Sequence, residues 1–189
     1  MPATCTEDVG SSPIPRTKPF DLLKIMEEMT LTFLVSPPDE INKVWLAKKK
    51  KKIGKGKFNG YGGRVENGED ILHSAVREIK EESTVIVHPR DLIKRSTIDF
   101  FRGNIWDFTL HIFVTTRWIG EPKETEEMEK PEKFYRNKLP LTQMMEADKL
   151  WAPDIVMGIE VPPPPKSFLF ICYNQDRTRV ISHNIPADH

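Results

Sequence analysis

Residues 62–87 read GGRVENGEDILHSAVREIKEESTVIV. Within this stretch Ile71, Leu72, Ala75, Val76 and Ile79 recur at spacings of one, three and four, which predicts a helix with one apolar side. A second side is acidic. Glu78, Glu81 and Glu82 stand at i, i+3 and i+4, so their carboxylates project within about 100° of one another. Like charges at that spacing repel by a few tenths of a kcal/mol each, and three together call for a counterion. A hard divalent cation such as Mg²⁺, which takes oxygen ligands and keeps some of its waters, meets that need. An ordinary solvated face partnered by Arg77 and Lys80 would meet it too, so the helix alone leaves both readings open.

Outward from the helix the chain alternates strands with turns. Five glycines lie between Gly54 and Gly63, with another at Gly68. Upstream, TLTFLV (30–35) and VWLA (44–47) read as strands around a turn that Pro37 and Pro38 enforce. Downstream, residues 92–101 and 105–118 predict a hairpin around Gly103 and Asn104, and WAPDIVMGIE (151–160) predicts a second helix, ended by the proline run 162–165. Residues 168–174 and 177–185 predict a closing hairpin. This order implies an α/β fold with a mixed sheet between helices. Residues 1–22, rich in Ser, Thr and Pro without apolar period, read as a disordered tail, and 23–189 as one domain.

The whole-chain properties narrow the function. The 189 residues carry 28 basic and 28 acidic side chains, so no global field draws nucleic acid or a membrane surface. Two cysteines are no disulfide framework and suit a reducing compartment. No apolar run approaches the roughly 18 residues that span a bilayer. The expectation is a cytoplasmic monomer acting on a small anionic ligand, with no stable nucleic-acid partner. The lysine run 48–52 reads as a solvated strand edge, with nuclear targeting as a second reading.

The segment resembles the Nudix (MutT-type) hydrolase family. The family's motif runs Gly, five residues, Glu, seven residues, Arg-Glu, aliphatic, any, Glu-Glu, any, Gly, aliphatic. Here Gly63, Glu69, Arg77, Glu78, Glu81 and Glu82 fill six of its seven fixed positions, with Ile79 and Val85 at the aliphatic ones. The resemblance implies the Nudix fold, an α/β/α sandwich with a mixed sheet. It implies a Mg²⁺ site, with Mn²⁺ as the substitute, held by Glu78, Glu82 and the Gly62 carbonyl. Glu81 would be a ligand or its neighbour, and Arg77 would pair with Glu69 or a motif glutamate. A further acid, Glu127, would face the metal from a loop. Thr84 occupies the last glycine position. A β-branched residue disfavours the left-handed helix cap by about 1–2 kcal/mol, so a shifted helix end is expected.

Beyond the motif, the chain is similar to the animal 8-oxo-dGTP diphosphatases of that family, from about Met29 onward. The resemblance puts Thr30, Lys49, Asn59, Tyr61, Gly62, Gly63 and Arg64 on the substrate, and makes Leu150-Trp151 the mouth of the base pocket. An Asn amide can read a purine edge and a Trp can stack on a base. On their own, Asn59 reads as a turn residue and Trp151 as core. Where those enzymes have Trp-Pro-Asp-Asp, this chain has Trp151-Ala152-Pro153-Asp154-Ile155, leaving Asp154 as the single base-reading acid. Magnesium-dependent hydrolysis of oxidised purine nucleoside triphosphates is therefore the expected function. Hydrolysis of another diphosphate (ADP-ribose, a dinucleoside polyphosphate or an RNA cap) is the alternative, and a non-catalytic Nudix binding module a third.

Overall fold

Thr30 to Val35 alternate in the way a strand buried on both faces requires. In the computed structural model, which describes residues 27–37, 42–158 and 169–185, they belong to strand β1 (Glu28–Val35). Leu31, Phe33 and Val35 enter one hydrophobic cluster and Leu34 the other. The tail 1–22, residues 38–41 of the first turn and the proline run lie outside the described residues.

The remaining strands are β2 (Lys43–Lys48), β3 (Phe58–Asn59), β4 (Ile93–Arg102), β5 (Ile105–Thr115), β6 (Glu132–Tyr135), β7 (Leu169–Tyr173) and β8 (Val180–His183). They form one sheet in the order β3-β2-β1-β5-β4-β7-β8, with β6 also pairing β2. β1 runs parallel to β5 and β4 parallel to β7, while β2, β3, β6 and β8 pair antiparallel with their neighbours. The mixed sheet and the β4–β5 and β7–β8 hairpins are as expected; β6, four residues in a charged segment, has no counterpart in the sequence pattern.

Helix α1 (Ile71–Ser83) packs Ala75 and Ile79 against Leu34, Ala47, Tyr61 and Phe113 on one face of the sheet. On the other face a 3₁₀ turn (Ala147–Leu150) and helix α2 (Ala152–Met157) pack Trp151, Ala152 and Ile155 against Leu31, Phe33 and Leu46. The result is an α/β/α sandwich. Leu72, expected on the apolar side of α1, is exposed; Ser74, Glu78 and Glu82 take the buried side instead.

The ends of α1 are well defined. The Asp70 carboxylate accepts from the Leu72 and His73 N–H groups at 2.9 and 3.3 Å, capping the helix start. At the other end Thr84 itself adopts the left-handed conformation, φ 68°, and its N–H donates to the Lys80 carbonyl. The expected shift of the helix end does not occur. Tertiary packing around buried Ser83 and Val85 holds the backbone where glycine would sit, and the threonine takes up the strain.

Candidate active site

Between β1 and α1 the chain must bring a backbone close to a row of carboxylates, and glycine permits it. Tyr61 N–H and carbonyl pair with Thr32, and the Gly63 carbonyl accepts from Thr30 N–H at 2.9 Å. In an extended segment the intervening residue points its polar groups the other way. Accordingly Gly62 N–H donates to Glu82 Oε2 at 2.8 Å. A β-carbon at Gly62 would collide with the Thr30 backbone, and one at Gly63 would sit 2.5 Å from Glu78 Oε1. Both glycines are there for close approach.

Arg77 organises the carboxylates. Its Nε and Nη2 fork onto both oxygens of Glu69 at 2.9 and 2.8 Å. Nη1 reaches Glu78 at 2.9 Å and Glu81 at 3.2 Å, and Nη2 also donates to the Arg64 carbonyl at 3.0 Å. The loop before the helix is thereby tied to it. Arg77 holds Glu69 down at about 2, well below the usual carboxylate range. Burial pushes Glu78 and Glu82 the opposite way. Arg77 opposes that rise at Glu78 and Lys49 at Glu82, while Glu81 adds to it at Glu78 and Glu78 adds to it at Glu82. Lys49 Nζ lies 3.4 Å from Glu82 Oε1.

Glu127 comes from the loop that pairs with the end of β2: Lys50 N–H donates to its carbonyl at 2.8 Å, and Lys52 Nζ lies 2.9 Å from its carboxylate. The lysine run is thus divided. Lys49 turns to Glu82, Lys50 to Glu124, and Lys52 to Glu127.

Among the described residues no three His, Cys, Asp or Glu side chains already converge on one cation position. The donor set nevertheless fits a hard divalent ion. Glu78 and Glu82 are buried acids whose charge is disfavoured as they stand, and the Gly62 backbone is bonded directly to Glu82. Glu81 does not join them; its side chain is largely exposed and serves Arg77.

A cleft of about 800 Å³ runs from this centre along the sheet. Thr30, Lys49, Asn59, Gly62, Gly63 and Arg64, all put on the substrate by the resemblance, line it. Three others that the resemblance puts on the substrate lie off the cleft wall. Trp151 is fully buried in the core, 6.1 Å from Phe33 ring to ring, and is no stacking platform. Tyr61 is sealed beneath α1, where burial pushes its phenol up. Asp154, on α2, does not line the cleft.

Their place is taken by residues that sequence reasoning missed. Phe100 stacks on Phe108 at 4.7 Å and lies 6.1 Å from Tyr173, all three on the cleft wall. Met145 and Asp148 line it from the 3₁₀ segment. Asp148 is buried, its Oδ2 has no protein partner, and burial raises its carboxyl from 3.8 to about 7. The local sequence EADKLW, with Glu146 and Lys149 flanking, carries no signal that would have singled out Asp148. A smaller depression of about 460 Å³ near β8, bordered by Glu146 and Leu150, contains none of the site residues.

The α/β/α sandwich, with a glycine loop feeding a carboxylate-bearing helix, defines a class of hydrolytic site, and a model of the NUDIX domain matches residues 29–156. The chain belongs to the Nudix family and is a Nudix pyrophosphohydrolase. It is 38% identical over 125 residues to an oxidized purine nucleoside triphosphate hydrolase of Danio rerio, covering 66% of this chain and 76% of the relative. It is 30% identical over 156 residues to the Mus musculus protein of the same name, covering 82% and 92%. A crystal structure of a MutT protein from Bacillus halodurans superposes with a TM-score of 0.64 at 22% identity, covering 84% of this chain and 97% of that one, a likeness of fold.

Proposed function

We propose that this protein hydrolyses oxidised purine nucleoside triphosphates, of the 8-oxo-dGTP and 2-hydroxy-dATP type, to the monophosphate and pyrophosphate, and so clears damaged nucleotides from the pool. The observation that carries this reading is the composition of one cleft. Gly62, Gly63 and Lys49 line it, with Glu82 bound behind them to Gly62 N–H and Lys49, and an aromatic wall of Phe100, Phe108 and Tyr173 lines it together with Asn59 and Asp148. The first set suits a phosphate chain, and the second a flat base with polar edges.

Asp148 suits the oxidised base in particular. With its carboxyl near 7, both protonation states are populated at neutral pH. The acid donates to a carbonyl and the carboxylate accepts from an N–H, and oxidation at C8 gives guanine one of each. The single acid at Asp154 points to another diphosphate as substrate; Asp148 removes that ground. The relatives' names agree with an oxidised purine substrate.

In the reaction water attacks a phosphorus, the phosphoanhydride bond breaks, its electron pair leaves with pyrophosphate, and the water's proton passes to a carboxylate of the site. Nudix hydrolases generally use divalent metal ions. Mg²⁺, when bound, would lower the pKa of the water and neutralise phosphate charge, with Glu78, Glu82 and Glu127 as the holding side chains. Arg77 keeps the loop and helix in register for that work.

Pyrophosphate release from 8-oxo-dGTP and dGTP, side by side with and without Mg²⁺, tests the proposal. Preferential, Mg²⁺-dependent turnover of the oxidised nucleotide that vanishes in Glu82→Gln supports it. Equal turnover of the two overturns the substrate, and absence of any turnover overturns the activity.

A further inference from the structure

The loop 50–57 closes on Lys49: Gly56 N–H donates to the Lys49 carbonyl at 2.7 Å, and Lys57 N–H to that of Gly54 at 2.9 Å. Three residues of this loop adopt positive φ. Two are glycines, Gly54 at 80° and Gly56 at 75°; the third is Lys52 at 58°. A β-carbon in that conformation is strained. The structural return on it is an ion pair with Glu127, whose lysine side chain is 66% exposed. Exposed pairs of this kind stabilise a fold by no more than the strain opposes. Folding alone therefore favours glycine at position 52.

What the lysine adds lies in the cleft. Lys52 lines it together with Lys49, Gly62 and Gly63, and the charges of Glu78, Glu82 and Glu127 all bear on its ammonium. Its neighbour Lys50 is engaged away from the cleft, 2.6 Å from Glu124, while Lys49 lines the cleft beside it, 3.4 Å from Glu82. An ammonium on a flexible stem with one exposed carboxylate partner can exchange that partner for a phosphate oxygen.

We propose that Lys52 is a substrate-binding residue, contacting the polyphosphate tail that Lys49 also meets, and that it separates triphosphate substrate from monophosphate product. This rests on the reading of the cleft as a nucleotide triphosphate site, and it concerns the tail alone. Cleavage removes the tail, so the product loses the contact and the substrate does not.

The test uses the full-length protein and two variants. Lys52→Gly removes the charge and the strain; Lys52→Met removes the charge and keeps a side chain in the strained backbone. Calorimetric titration with inorganic tripolyphosphate and with dGMP, both with Mg²⁺, reads the tail apart from the base. The expected result is tripolyphosphate binding about tenfold weaker in both variants, the size of one charge-assisted contact. Binding of dGMP should stay within twofold, and Lys52→Gly should melt above the wild type. Tripolyphosphate affinity within twofold of wild type in Lys52→Met overturns the proposal and leaves Lys52 a surface counterion to Glu127. Because tripolyphosphate carries no base, equal turnover of 8-oxo-dGTP and dGTP would sink the substrate assignment while leaving this result intact.

Discussion

Replacing Asp148 by asparagine should change how stability depends on pH. The carboxyl is buried, its Oδ2 lacks a protein partner, and it is raised from 3.8 to about 7, chiefly by burial. Between those values the unfolded chain has lost the proton and the folded chain keeps it. The folded state then binds more protons, so stability falls as pH rises through the window and levels off above the folded value. At about 1.4 kcal/mol per pH unit, the whole displacement corresponds to roughly 4 kcal/mol. Urea unfolding of the wild type at half-unit steps from pH 5 to 8, with ligand absent, should show most of that decline. The amide of the variant cannot ionise, and the Asp148→Asn profile should be nearly flat over the same window once the remaining groups are subtracted by difference. Parallel profiles would refute the reasoning: they would mean that Asp148 ionises freely with water at its side, and that the cleft offers no protonated carboxyl at neutral pH.

Four further outcomes follow from geometry. Gly63→Ala places a β-carbon 2.5 Å from Glu78 Oε1 and should lower kcat about a hundredfold by displacing that carboxylate; an unchanged kcat would detach Glu78 from the chemistry. Thr84→Gly relieves the left-handed strain at the end of α1 and should raise stability by about 1 kcal/mol, or roughly 2–4 °C in Tm by calorimetry. Trp151→Ala should cost about 3–5 kcal/mol in urea unfolding, as core loss does, while Asp154→Asn should leave the ratio of kcat/KM for oxidised over normal dGTP unchanged; a collapse of that ratio in Asp154→Asn would return the base-reading role to α2.

The catalytic helix was readable because a 3.6-residue period determines which side chains share a side, and Glu78 and Glu82 lie four apart. Burial added what period could not: Glu81, equally well spaced, faces out, and Leu72 is exposed while Ser74 is not. The family resemblance implied that Arg77 pairs with Glu69 or a motif glutamate; the side chain forks onto Glu69 and also reaches Glu78 and Glu81. The base end was misread for a physical reason. Trp151 and Asp154 were placed on the base by the resemblance alone, whereas Trp151, at the N-cap of α2, turns its indole into the core beside Phe33, as its residue type suggests. The acid that reaches the cleft, Asp148, does so because a 3₁₀ turn packs Ala147 and Trp151 beneath it, a placement set by contacts with distant strands. Thr84 marks the same boundary between local preference and packing.

The sheet keeps the two ends of the cleft on separate foundations. Glu78 and Glu82 ride on a helix seated in the cluster of Leu34, Tyr61 and Phe113, whereas Asp148 belongs to a segment seated in the cluster of Phe33, Leu46 and Ile155 on the opposite face. On the proposed reading, repacking beneath α2 would reach the base end of the cleft first and the carboxylates of α1 only through the sheet, where β1 carries residues of both clusters. A lineage could then alter its choice of base chiefly through the second cluster.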